Sequence, residues 1–155
     1  MVLPHVAFEE EIQVIKSSTS INLSVMETKR TAYGNLVLAN DFGALVDPRL
    51  QRSNVKVIED TLGVEAVPGK IAGLPYVGSL ATATNKGVLT HPLITEEEKK
   101  VLMNALKVKV GVGTVNCGIP YVATGLVGNS RAAVAGSLTT GPELFMIGDA
   151  LEVVD

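Results

Sequence analysis

A period of about 44 residues runs through this 155-residue chain and constrains its fold more than any other feature. One stretch reads Gly34-Asn35-Leu-Val-Leu-Ala-Asn40-Asp41-Phe-Gly43-Ala-Leu-Val-Asp47-Pro48. A second reads Gly78-Ser79-Leu-Ala-Thr-Ala-Thr-Asn85-Lys86-Gly87-Val-Leu-Thr-His91-Pro92, and a looser third runs from Thr124-Gly125 to Gly136. On this alignment Asn40, Asn85 and Asn129 stand 45 and 44 residues apart. Leu62-Gly-Val64 returns as Leu106-Lys-Val108, and Pro75-Tyr-Val77 as Pro120-Tyr-Val122. Agreement at several offsets defines a repeat architecture, in which each unit buries its apolar face against the next.

The elements inside a unit are readable. An apolar run enters Asn-x-Gly or Asn-x-x-Gly and a second apolar run leaves it. Asn and Gly tolerate positive φ, so this pattern predicts a β-hairpin. A proline ends the second strand and a short amphipathic helix follows. Thr95-x-x-Glu98 is a capping box, with Val101, Leu102, Ala105 and Leu106 as the helix's apolar face. Thr140-Gly-Pro142-Glu143 repeats the device ahead of Leu144, Ile147 and Leu151. Another helix is predicted from about Asn54, with Val55, Ile58 and Leu62 inward. Val64–Val67 and Val108–Val110 read as trailing strands. At the N-terminal end, Val2-Leu-Pro4 reads as the end of a hairpin strand. Phe8, Ile12 and Ile15 form a helical stripe, and Ile21–Val25 a trailing strand. The expected organisation is one domain with repeats at about 1–25 (partial), 26–67, 68–111 and 112–155.

Hydrophobic residues make up 46% of the chain and charged residues 19%, with a mean hydropathy of +0.32. That is too apolar for a disordered chain. No apolar run approaches the ~18–20 residues of a membrane helix. The single cysteine, Cys117, has no internal disulfide partner, which reads as a reduced, cytoplasmic protein. A net charge of −3 argues against binding held mainly by nucleic-acid phosphates. Six aromatic residues supply a base-stacking platform poorly.

Catalytic and cofactor chemistry is mostly absent from the pattern. Gly111-Val-Gly113 lacks the third glycine of a dinucleotide fingerprint. Gly69-Lys70 is followed by Ile71, where a phosphate loop needs Ser or Thr. His5 and His91 have no ligand-spaced partners, so no metal site is expected. His91 precedes Pro92 as Asp47 precedes Pro48, which makes it a turn residue. Cys117 would need a histidine and a carboxylate nearby to act as a nucleophile, with His91 and Asp41 or Asp47 as the available groups. The bland alternative is a small thiol beside Gly118. Glu9–Glu11 and Glu96–Glu98 read as solvated acids in first helical turns, favoured by the helix dipole.

The repeat residues also resemble the archaeal translation initiation factor 6 family and its eukaryotic counterpart. The likeness rests on Gly34–Asp41, Val77-Gly78-Ser79, Thr84–Pro92, Gly113–Asn116 and Thr139–Leu144, and it runs from Val2 to the end. It implies an α/β pentein-like, pseudo-symmetric αβ propeller, of which this chain holds about three and a half of five units. It also implies a non-enzymatic factor without cofactor or metal. Such a factor binds the large ribosomal subunit, mainly through ribosomal protein. It prevents joining with the small subunit and takes part in large-subunit maturation. On that resemblance Gly34, Asn35, Gly78 and Ser79 are the ribosome-binding candidates. Asn35 and Ser79 follow a glycine at matching places and are expected on one face, or else satisfying backbone groups at strand starts. Penteins also include guanidino-group hydrolases with a Cys and His pair, for which Cys117 and His91 would be the candidates. An incomplete, inactive fragment is the remaining reading. Two open flanks, one ending in the weakly charged Leu151–Asp155, carry an expectation of self-association.

Overall fold

The structure, a computed structural model, describes residues 1–153; Val154 and Asp155, the end of the C-terminal stretch above, lie outside the described residues. Over the described residues it is a mixed α/β chain with several small sheets and six α-helices. The N-terminal segment supplies β1 (Val2–Pro4), α1 (Glu9–Ser18) and β2 (Ser24–Met26). A one-turn helix α2 (Tyr33–Leu36) then leads into β3 (Val37–Ala39), β4 (Ala44–Val46), α3 (Arg52–Leu62) and β5 (Ala66–Pro68). The same order returns as α4 (Val77–Leu80), β6 (Ala81–Ala83), β7 (Gly87–Thr90), α5 (Glu96–Leu106) and β8 (Lys109–Val112). It returns again as a 3-10 turn (Val122–Thr124), β9 (Leu126–Gly128), β10 (Ala133–Ala135) and α6 (Gly141–Leu151).

Pairing within each motif follows one rule. The hairpins β3–β4, β6–β7 and β9–β10 are antiparallel. The strand after each helix pairs parallel to the hairpin's second strand, as β4–β5 and β7–β8 do. The parallel pair β1–β2 spans α1 in the same way, so the N-terminal segment has the connectivity of a motif's second half.

The reason the hairpins turn differs from the expected one. None of Asn40, Gly43, Asn85 or Gly87 has positive φ. Instead, Oδ1 of Asn40 accepts from the amides of Phe42 and Gly43 at 3.0 and 3.1 Å. Oγ1 of Thr84 does the same for Lys86 and Gly87, and Oδ1 of Asn129 for Arg131 and Ala132. The structural counterpart of Asn40 is therefore Thr84, one residue before the Asn85 of the sequence alignment. Asn85 instead links motifs, accepting from Asp41 N at 3.0 Å through Oδ1 and donating to Asp41 Oδ2 at 2.6 Å through Nδ2.

The apolar core of the described residues falls into three clusters, one inside the motif of α3 and two that each take residues from the preceding motif. Leu38 and Leu45 pack with Ile71, Leu80, Val88, Leu102 and Leu106 of the next motif. Leu89 packs with Val115, Leu126, Ile147 and Leu151 of the one after. Each fully buried leucine contributes roughly 1.5–3 kcal/mol. Val101 and Leu144, read as inward, are 39% and 50% exposed; the inward faces are Leu102, Ala105 and Leu106 on α5, and Ile147, Ala150 and Leu151 on α6. Phe8 is also exposed, because it precedes α1 rather than lying on it; of the expected α1 stripe only Ile12 is buried. Gly43 and Gly87 permit the close docking of successive motifs. A Cβ on either would lie about 2 Å from the carbonyl oxygen of Ala105 or Ala150. No described helix is long and apolar enough to cross a membrane.

Candidate functional site

The four candidate residues sit on α2 and α4, the single turns that open two successive motifs. The sequence reads these stretches as the start of a strand. The structure instead closes each into one helical turn, with Asn35 N donating to Ala32 O and Ser79 N to Tyr76 O, both at 3.0 Å. The third motif repeats the geometry, Thr124 N donating to Tyr121 O at 2.9 Å. Tyr33, Val77 and Val122 are buried beneath these turns and anchor them.

The turns stack side by side, α2 on α4 and α4 on the 3-10 turn. Gly78 is buried in this stack. A Cβ there would come 2.1 Å from Gly34 O and 2.7 Å from Val37 O, both backbone atoms, so only glycine fits. Gly34 is different: it is exposed, and a Cβ would meet nothing within 4 Å. Asn35 is exposed and Ser79 half-buried. Neither side chain makes a hydrogen bond among the described residues, so neither serves to cap a strand start there. Thr124, an exposed residue in the loosest repeat, continues the row and was not singled out by sequence reasoning. The Pro75-Tyr-Val77 and Pro120-Tyr-Val122 offset carries the signal that finds it. Tyr76 and Tyr121, each 43% exposed, flank the row.

Arg49 ties one motif to the next beside this row. Its guanidinium grips the buried Asp47 carboxylate, at 2.9 Å through Nε and 2.6 Å through Nη2, and lies 4.7 Å from the Tyr76 ring centroid. Burial alone would raise the Asp47 pKa, but the bonds from Arg49 outweigh it and hold the carboxyl below its usual range. His91 takes the matching place in the next motif. As expected of a turn residue, its Nδ1 accepts from Leu93 N at 3.1 Å, as Asp47 Oδ1 accepts from Arg49 N at 2.8 Å. Burial pushes the His91 pKa down, and its ring meets Tyr121 edge-on.

Cys117 is exposed, in a turn where Asn116, Cys117 and Gly118 all have positive φ. The group holding that turn is Glu143, which sequence reasoning treats only as a cap. Its carboxylate accepts from the amides of Cys117 and Gly118 at 3.1 and 2.9 Å, from the Thr114 hydroxyl at 2.6 Å, and from Thr140 N at 2.7 Å. The Thr114 hydroxyl and the Thr140 amide lead in holding its pKa down to about 2. Glu98 clamps the Ala72-Gly73 turn likewise, at 2.9 and 2.8 Å. Glu98 is thus a structural clamp rather than a freely solvated acid, while Glu96 and Glu97 are exposed.

Repeated motifs whose opening turns stack side by side and present a row of small polar side chains define a repeat protein with a continuous polar row. The chain belongs to the eIF-6 family, whose model matches residues 1–150. It is 44% identical to "Translation initiation factor 6" of Methanocaldococcus jannaschii over 160 residues, covering 99% of this chain and 70% of that protein. The same-named protein of Pyrococcus horikoshii is 45% identical over 159 residues, with the same coverage. That of Pyrobaculum arsenaticum is 43% identical over 151 residues, covering 97% of this chain and 68% of that protein. Membership makes the chain a translation factor and not an enzyme.

Proposed function

We propose that this protein binds the large ribosomal subunit, mainly through a ribosomal protein, and prevents its joining with the small subunit. A role in large-subunit maturation and a cytoplasmic location go with that reading. Gly34, Asn35 and Ser79 supply contact surface, and Gly78 sets the spacing of the turns that carry them. The observation that carries the proposal is the exposed Gly34-Asn35 pair, on stacked turns, where the Asn35 side chain makes no hydrogen bond among the described residues. A net charge of −3 favours a protein surface over bare phosphates as the main contact. The test is subunit joining followed by light scattering. Large subunits incubated with the protein should join small subunits less; joining at the untreated level contradicts the proposal.

The same reading takes the motifs as sectors of a pentein-like pseudo-symmetric propeller, one domain with repeats near 1–25, 26–67, 68–111 and 112–155. Hydrogen bonds between motifs recur at separations of 44, 45 and 66 residues, as a rotation of one unit onto the next requires. Coverage of 70% of the relatives' length is also the share that three and a half of five equal units occupy. Val127 and Val134, paired across β9 and β10 and each more than 70% exposed, offer an apolar face that a second copy covers. A strictly monomeric chain in light scattering at micromolar concentration contradicts that last point.

A further inference from the structure

The motif containing α3 lacks a group that its two successors possess. In α5 and α6 the third residue is a glutamate, Glu98 or Glu143, whose carboxylate clamps the amides of an upstream turn. The third residue of α3 is Asn54, and the first turn of α3 contains no acid. Gln51, which precedes α3, makes no side-chain cap. The amides at the matching positions, those of Thr28 and Lys29, lie 44 residues before Ala72 and Gly73, in a bend that has neither the bridge nor the positive φ of the Ala72-Gly73 and Cys117-Gly118 turns. These two amides donate to no protein acceptor among the described residues.

Between that bend and the start of α3 lies an open cleft of about 590 Å³, lined by Lys29, Arg30, Arg49, Gln51 and Asn54, with Glu27 as its one acid. Arg49 is held by Asp47. Lys29 and Arg30 form no ion pair among the described residues. The helix N-terminus, two unpaired cations and a bend with free amides all call for the same chemistry.

We propose that this cleft receives a carboxylate from outside the chain, a glutamate of an acidic protein segment. That carboxylate takes the place that Glu98 and Glu143 fill in the sister motifs. A glutamate fits better than a nucleic-acid backbone, since the sister turns bind a single planar carboxylate and Glu27 repels a run of phosphates. The inference does not depend on ribosome binding.

The probe is a fluorescein-labelled hexaglutamate peptide, followed by anisotropy at low salt with the whole chain. Saturable binding is expected, at least tenfold weaker in Asn54→Glu, where an internal carboxylate fills the cleft, and at least fivefold weaker in Arg30→Ala. Gln13→Glu adds the same charge on exposed α1 and should leave binding unchanged. Thermal unfolding shows that each variant is folded, with Asn54→Glu at or above the parent's midpoint. Equal binding by the parent and Asn54→Glu overturns the proposal, as does equal weakening by Gln13→Glu. So does an absence of saturable binding, or tighter binding of labelled hexauridylate than of the peptide.

Discussion

Glu143 gathers five hydrogen bonds onto one carboxylate, which ties the start of α6 to a turn about 25 residues earlier. Those bonds need the charged form, so its pKa falls from an ordinary 4.5 to about 2 in the folded protein. The stability this lends is fully present above pH 4.5 and drains away as the pH falls towards 2, because the unfolded chain takes up the proton first. Glu98 is shifted in the same direction for the same kind of reason, its bonds to Thr95, Gly73 and Ala72 outweighing its burial. Glu143→Gln should therefore flatten the loss of thermal stability between pH 4.5 and 2, while lowering the midpoint at pH 7. An unchanged acid profile in the variant would show that the clamp does not hold a charge. The Thr140-x-x-Glu143 box is readable in the sequence because its two members are local. The reach to Cys117 and Gly118 is not, because it depends on a turn that only the fold brings back.

Glycine has opposite meanings in two neighbouring turns. Gly78→Ala places a methyl group against two carbonyl oxygens of α2 and β3, so α2 and α4 must separate. A loss of about 1–3 kcal/mol is expected, the usual range for overpacking. Gly34→Ala meets open space and should change stability by no more than about 0.5–1 kcal/mol, in either direction. Chemical denaturation of both variants checks this, and equal losses would contradict the close stacking of α2 on α4. Element order is largely legible from the repeat: three hairpins, the helices and their trailing strands lie where the pattern puts them, within a few residues. Two things were not legible. The single turns of α2 and α4 sit in apolar runs too short to separate helix from strand. The Asn85 offset arises because Thr and Asn can both supply the oxygen that closes a hairpin, so residue identity misleads the alignment by one position.

At the scale of the whole molecule two of the core clusters take residues from the preceding motif, so neighbouring motifs hold one another and their opening turns are fixed in a row. That is how separated sequence positions, Gly34-Asn35, Ser79 and Thr124, come to form one surface. The repeat spacing makes this row inferable, but it says nothing of side-chain freedom, which only the structure supplies. The Asn35 side chain is exposed and makes no hydrogen bond among the described residues, so its loss should leave the fold in place. The most direct measurement is co-sedimentation of the protein and its Asn35→Ala variant with purified large and small ribosomal subunits, alongside their thermal midpoints. The expected result is that the parent pellets with the large subunit and not the small. The variant should bind the large subunit at least fivefold more weakly, with stability changed by less than about 0.5 kcal/mol. Equal binding by parent and variant, or a parent that pellets equally with both subunits, would contradict the account.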